Sequence, residues 1–314
     1  MRADFHVHSW HSTQSGSLKF LRSRDCYSDP VDVYRTARAR GMDLVTITDH
    51  DSIDGCLELL ARYPDLENFV IGEEVSCRFP DGDMEVHLGV YGTTEALHRE
   101  LQQWRGNVFD VIACLRAHDV FFTLNHLLHF YQGQAPLASY LRLALEVPAL
   151  EVRNGAMLPE HNVLIEQYAR TMPPGHWGLV GGSDAHTLRR IGRTWTEVPG
   201  ATTAEQFMTG LREGRGRIGG DHGSAPVIAI EIYGVVARYM ASLAGFGPCT
   251  QPLPRRIGCL AFSAASLPFQ FIPLLAALRG KARERGAVAQ MRRELEPVFG
   301  DSPATTTAAI EVQE

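Results

Sequence analysis

Imidazoles and carboxylates recur along this chain in short clusters. His6-Val7-His8 opens the series. Thr48-Asp49-His50, Glu74, His87 and His126 follow, and Ser183-Asp184-Ala185-His186 closes it. Nitrogen and oxygen donors of this kind are the usual ligands of zinc, manganese and iron. Several such cations held together make hydroxide for hydrolysis. A single histidine in any of these places would read as a hydrogen-bonded or surface imidazole. Six clusters that keep step with the chain's strands read as one site.

Seven short apolar runs predict the strands that position these groups: 3–8, 44–48, 69–77, 85–91, 121–125, 149–152 and 178–182. Helical spacing fills most of the gaps, at 30–40, 97–104, 108–118, 137–145 and 164–170. Asp29 can cap the first of these helices, Pro30 suits its first position and Gly41 can end it. Strands alternating with helices imply an α/β fold with a mainly parallel sheet, and seven such units suggest a distorted barrel. Barrel active sites lie at the C-terminal ends of the strands. His50 follows the second run, Glu74 falls within or just after the third, His126 follows the fifth, Asn154 the sixth, and Asp184 and His186 the seventh. His6 and His8 share one face of the first run. His87 falls inside the fourth. Residues 9–27 are long for a strand-to-helix loop and predict a flap over the site. A further helix is expected at 203–212. Residues 227–243 and 274–295 also have helical spacing, and disorder is expected from about residue 301.

Composition narrows the function. The net charge is −6, without a long basic run near the proposed site, so a nucleic-acid surface is not expected. The six cysteines are scattered with no Cys-x-x-Cys, which speaks against thiolate zinc and disulfide frameworks. With no signal-peptide pattern, a cytoplasmic location is the default expectation. The two lysines, Lys19 and Lys281, stand outside any P-loop. A phosphate clamp should therefore use arginine, and Arg153, Arg190 and Arg193 are candidates. Residues 260–278 carry no charge and precede Arg279, Lys281, Arg283 and Arg285, an arrangement that invites a membrane reading. Pro268, Pro273, Gln270 and several serines argue against a spanning helix. The expectation is a helix packed on the barrel or on a partner, without membrane contact.

His6-Val7-His8-Ser9, Ile47-Thr48-Asp49-His50-Asp51, Gly72-Glu73-Glu74, Val86-His87-Leu88-Gly89, Asn125-His126 and Gly182-Ser183-Asp184-Ala185-His186 stand in the order of the PHP (polymerase and histidinol phosphatase) family. The chain resembles that family over residues 3–222. The resemblance implies a distorted (β/α)7 barrel over 1–222, followed by a helical extension over 223–314. It also implies two or three divalent metals (manganese, iron, zinc or magnesium) and phosphoester hydrolysis. His6, His8 and Asp184 would hold the first metal, and Glu74 would bridge it to the second. Glu74 is preferred to Glu73 because the family's pattern is Gly-x-Glu; Glu73 then reads as an acid behind the ligands or facing solvent. His87 and His126 would complete the second metal, and His50 and His186 would belong to the third. Asp49 and Asp51 would orient imidazoles.

The chain departs from the pattern in two places. Shortly after His-x-His the family places an acid or histidine, where this sequence has Thr13-Gln14-Ser15. His11 lies close by, and Asp25, beyond the insertion, could fold back to serve as a ligand. Leu127 replaces the proline that usually follows the His126 position. Among the other histidines, His98 and His118 are expected on helices and His161, His176 and His222 in loops. His129 could reach substrate.

The expected activity is hydrolysis of a phosphomonoester or small phosphodiester, with Glu74, Asp184, Arg153 and Arg193 at the reacting centre. Ser183 reads as a turn residue rather than a nucleophile. Two alternatives stand: a nuclease acting on DNA or RNA ends, and a non-catalytic metal-binding module serving a partner enzyme. The C-terminal helices could dock that partner or a second copy.

Overall fold

A computed structural model describes residues 1–12, 21–80, 84–127, 129, 136–249 and 251–299. Thr13-Gln14-Ser15, the middle of the expected flap and the expected disordered tail lie outside these residues. The seven expected strands are present: β1 (Arg2–Asp4), β2 (Leu44–Ile47), β3 (Phe69–Arg78), β4 (Glu85–Tyr91), β5 (Phe121–Leu124), β6 (Ala149–Asn154) and β7 (Gly178–Gly182). Two more follow, β8 (Thr194–Glu197) and β9 (Arg217–Gly220), and the sheet order is β7-β6-β5-β4-β3-β2-β1-β8-β9. The ring nearly closes at its mouth, where Val7 bridges Ala185 and the Asp184 amide donates to the His6 carbonyl at 2.8 Å.

The sheet is less parallel than the alternation of strands and helices suggests. β1, β2 and β3 run parallel, as do β5, β6 and β7, but β4 is antiparallel to both of its neighbours. Only a short connection joins β3 to β4, and a parallel crossover needs a dozen or more residues. This reversal explains His87. It lies near the start of β4, opposite Ser76, so the inverted strand brings its beginning to the end of the barrel where the other strands finish.

Helices α1 (Pro30–Ala39), α2 (Asp54–Arg62), α3 (Glu95–Trp104), α4 (Val108–Ala117), α5 (Leu137–Leu145), α6 (Pro159–Ala169) and α7 (Ala204–Arg212) surround the sheet. Asp29 caps α1 by accepting from the Val31 amide at 2.7 Å, and Gly41 turns the chain after it at φ +80°. α2 was not expected; it is short, and its N-cap residue Ile53 has no side chain that can cap it. The main core packs Val75, Leu88, Leu124 and Leu150 of the sheet against Leu101, Ile112, Leu143 and Leu164 of the helices.

Among the described residues, three helices follow β9: α8 (Ala225–Leu243), α9 (Leu253–Ala265) and α10 (Ile272–Phe299). α10 returns to the barrel, where Val288 and Leu295 join the main core. Lys281 donates to the Ala156 carbonyl and pairs with Glu284, which accepts from the Leu158 amide at 2.7 Å. The uncharged run 260–278 is not one helix. α9 ends at Ala265, a 3-10 turn occupies Leu267–Phe269, and α10 begins at Ile272. Prolines fit such starts and turns but not helix interiors, so Pro268 and Pro273 make this run a turn between α9 and α10.

Candidate metal centre

At the mouth, one buried carboxylate faces five imidazoles. Glu74 Oε1 lies 3.1 Å from His87 Nδ1 and 3.1 Å from His126 Nε2. Its Oε2 lies 3.0 Å from His6 Nε2, 3.1 Å from His50 Nδ1 and 3.6 Å from His8 Nε2. Asp184 Oδ1 faces His8 at 3.3 Å, His6 at 3.6 Å and His186 at 3.7 Å. Asp25 folds back, placing Oδ2 3.8 Å from His50 Nε2 and 3.7 Å from His186 Nε2. Donor atoms converge within 4.8 Å in four overlapping sets: His6, His8, Glu74; His50, Glu74, His87; His8, His50, His186; and His6, His126, Asp184.

These groups fit divalent cations. His8 is fully buried, yet neither of its ring nitrogens makes a well-formed hydrogen bond, and Asp25 Oδ1 is likewise buried without a donor. Burying polar atoms without partners costs roughly 1–3 kcal/mol each, whereas bound cations would give such atoms a partner. The ionisation states lean the same way. Burial pushes Glu74 upward, but His6, His50 and His87 overcome it and hold the carboxyl well below its ordinary range. Burial likewise opposes ionisation of Asp184, and His6 and His8 outweigh it. The centre therefore presents ionised carboxylates among imidazoles.

A second layer of side chains fixes this arrangement. Glu151 Oε1 lies 3.0 Å from His6 Nδ1, and its Oε2 accepts from the His126 amide at 2.7 Å and from Asn154 at 3.0 Å. Asn154 also donates to Asp184 Oδ2 at 3.2 Å. Asp4 accepts from the Ser183 and Gly192 amides, tying β1 to the loop that carries Asp184. His126 and Asp184 adopt φ of +27° and +51°, in the left-handed region that side chains other than glycine's enter at a cost. A Cβ at Gly182 would lie 2.3 Å from the Cβ of His6, so only glycine lets β7 pass this close to that histidine. Groups behind metal ligands typically govern 10- to 100-fold in affinity or activity. Glu151→Gln is therefore expected to weaken metal retention by roughly that factor, measured by titration of the metal-stripped protein. Unchanged affinity would reduce Glu151 to a packing role.

Several residues sit elsewhere than the sequence suggests. Asp49 grips the Ser9 amide and hydroxyl, and Asp51 accepts from the Ser76 amide and pairs with Arg105; the acids behind the site imidazoles are instead Glu151, on His6, and Glu85, 3.2 Å from His87 Nε2. Glu73 does not face solvent: alternation turns it to the opposite side of β3 from Glu74, where it is buried and bonded to His98 at 2.7 Å. His11 pairs with Glu58 at 2.6 Å. His161 lies in α6, buried, against the Leu127 carbonyl. Glu151 and Asp4 were missed; the available signal was an acid inside a short, otherwise apolar strand.

The profile of the PHP-associated family matches residues 159–215. A two-domain protein from Bacteroides vulgatus, described as containing a predicted PHP-like metal-dependent phosphoesterase, has a similar fold. It is 16% identical with a TM-score of 0.50, over 76% of this chain and 69% of that one. The fold is that of PHP-like proteins. PsfC from Pseudomonas syringae is 18% identical with a TM-score of 0.49, over 76% of this chain and 97% of that one. The lesion-specific endonuclease PfuEndoQ from Pyrococcus furiosus is 18% identical with a TM-score of 0.45, over 69% and 58% of the two chains. No curated protein matches the chain.

Beside the candidate metal centre lies a cavity of about 330 Å³. His186, Trp10, Tyr27 and Phe246 line it, together with the guanidinium-bearing Arg189 and Arg238. Neither Arg153 nor Arg193 lines it. Arg153 donates to the Gly220 carbonyl, Arg190 to Asp221 and the Gly155 carbonyl, and Arg193 points to solvent.

Proposed function

We propose that this protein is a hydrolase acting on phosphomonoesters or small phosphodiesters with two or three divalent metals. The observation that carries this reading is the cage of His6, His8, His50, Glu74, His87, His126, Asp184 and His186, with Asp25 at its edge, opening beside an arginine-bearing cavity. Manganese, iron, zinc or magnesium in this cage would lower the pKa of bound water toward neutrality and offset charge on phosphate oxygens. The protein's own groups set the rest. Glu74, fully buried, supplies the negative charge at the centre, and Asp184, slightly exposed, supplies it at the mouth. Arg189 and Arg238 at the cavity wall can grip phosphate oxygens bidentately, taking the clamp role that sequence gave to Arg153 and Arg193. Trp10, Tyr27 and Phe246 offer ring faces to the remainder of the substrate.

The test is turnover of a panel of phosphomonoesters and small phosphodiesters by full-length protein of measured metal content, with and without manganese. Turnover that follows metal loading and disappears in His8→Ala supports the proposal. A fully loaded protein that turns over nothing in the panel would leave the accessory-module reading. Turnover confined to DNA or RNA ends would favour the nuclease.

A further inference from the structure

Among the described residues, thirteen of the seventeen exposed large apolar side chains lie in α8, α9, α10 and the segments joining them. They concentrate at the tip formed by the turn between α9 and α10. Of residues 268–279 only Ala277 is buried, while Phe269, Phe271, Ile272, Leu274, Leu275 and Leu278 are all exposed. Contiguous apolar surface of this kind marks an interaction site. The surrounding charge is one-sided. From Ile232 to Arg283 there are six basic residues and no aspartate or glutamate, whereas the rest of the chain has 24 basic against 36 acidic residues. The nearest acids are turned inward: Glu231 accepts from Thr187, and Glu284 is buried against Lys281. Arg279 and Arg283 are exposed and follow Leu275 at helical spacing, on the same face of α10.

We infer that this tip docks on an anionic lipid bilayer. An apolar, aromatic-bearing tip bordered by arginines, without carboxylates, suits the boundary between headgroups and acyl chains. The rings and leucines enter the acyl region while the arginines extend their stems and leave the guanidinium among the phosphates. A second copy fits less well. A two-fold interface sets a patch against its own image, which here would oppose cations to cations with no acid to pair them. The contact is peripheral rather than spanning. α8 is long and apolar enough to cross a membrane by length and composition, but Glu231 and Tyr239 fasten it to Thr187 and to the Leu21 carbonyl. The prolines that exclude a spanning helix at 260–278 shape the tip instead. Arg238 and Phe246, 81% exposed, belong both to this helical region and to the cavity wall, so docking would bring the cavity close to the headgroups. The inference stands apart from the hydrolytic reading, because its test needs no turnover.

Full-length protein is sedimented with phosphatidylcholine vesicles that contain or lack phosphatidylglycerol. Binding is expected to be roughly tenfold or more tighter with the anionic lipid and to weaken as salt rises. Arg279→Gln and Arg283→Gln should each weaken it about fivefold, and Phe271→Ser with Leu275→Ser roughly tenfold. All four side chains are exposed, and an unchanged far-ultraviolet circular dichroism spectrum verifies folding of the variants. Phe271→Trp should shift its emission to the blue only with anionic vesicles. Failure to sediment with anionic vesicles at low salt overturns the inference. So does a lipid-independent dimer that Phe271→Ser dissociates, which would assign the face to a second copy.

Discussion

Glu74→Gln is expected to lower phosphoester turnover by roughly 10³-fold or more and to strip most metal from the purified protein. The magnitude follows from position. This carboxylate lies within 3.1 Å of His6, His50, His87 and His126 and within 3.6 Å of His8, with no exposure to solvent. Glutamine keeps the shape but removes the charge, and it turns an amide donor toward imidazole nitrogens that need an acceptor or a cation. Each cation would then enter a buried cage that has lost its central negative charge, and desolvating a cation without a counter-charge is costly. Glu73→Gln is the matched control. It alters the adjacent residue, but its side chain bonds to His98 on the other side of β3, so metal content and turnover should stay near the wild-type level. Metal content is read by plasma mass spectrometry and turnover by phosphate release. Equal losses in both variants would mean that the strand, not the carboxylate, is responsible.

That contrast also marks how much could be read before the structure. The residues that gather at the mouth and their order along the chain were legible because each lies in or just after a short apolar run, and strand periodicity separates Glu74 from Glu73 once the strand's register is known. The α/β character and seven of the nine strands among the described residues were legible for the same reason. The inverted β4 was not: apolar alternation carries no direction, and only the short β3–β4 connection hints at it. β8 and β9 were missed because Thr194–Glu197 alternates threonine with other residues and Arg217–Gly220 ends in two glycines, which leaves little apolar signal. Glu151 and Asp4 were overlooked because a buried acid is readable only through its partners, which lie far away in sequence. The arginines stand differently. Arg153 and Arg190 are near the site in sequence, yet their guanidinium groups are taken by backbone carbonyls or Asp221. Arg238 reaches the cavity from α8, more than two hundred residues beyond the first histidine pair.

Chelation is expected to abolish turnover, and returning metal should restore it and raise the melting midpoint by on the order of 10 °C at saturating metal. How many ions return depends on Asp25. Its Oδ2 faces His50 and His186, Ser12 donates to the same oxygen at 2.8 Å, and Oδ1 is buried without a donor. His50 and His186 alone give a cation two neutral donors, with His8 nearby as a third. Asp25 adds the charge that this part of the cage otherwise lacks, and burial does not prevent its ionisation. Burial pushes Asp25 upward, but His186 and His50 hold it down to about 2. Asp25→Ala should therefore return one ion fewer per chain than the wild type and lower turnover roughly 10- to 100-fold, while ions held by His6, Glu74, His87 and Asp184 remain. Counting metal per chain after dialysis separates the possibilities. If the wild type and Asp25→Ala retain the same number, Asp25 is not a ligand, and its approach to the histidines serves the loop rather than the metal.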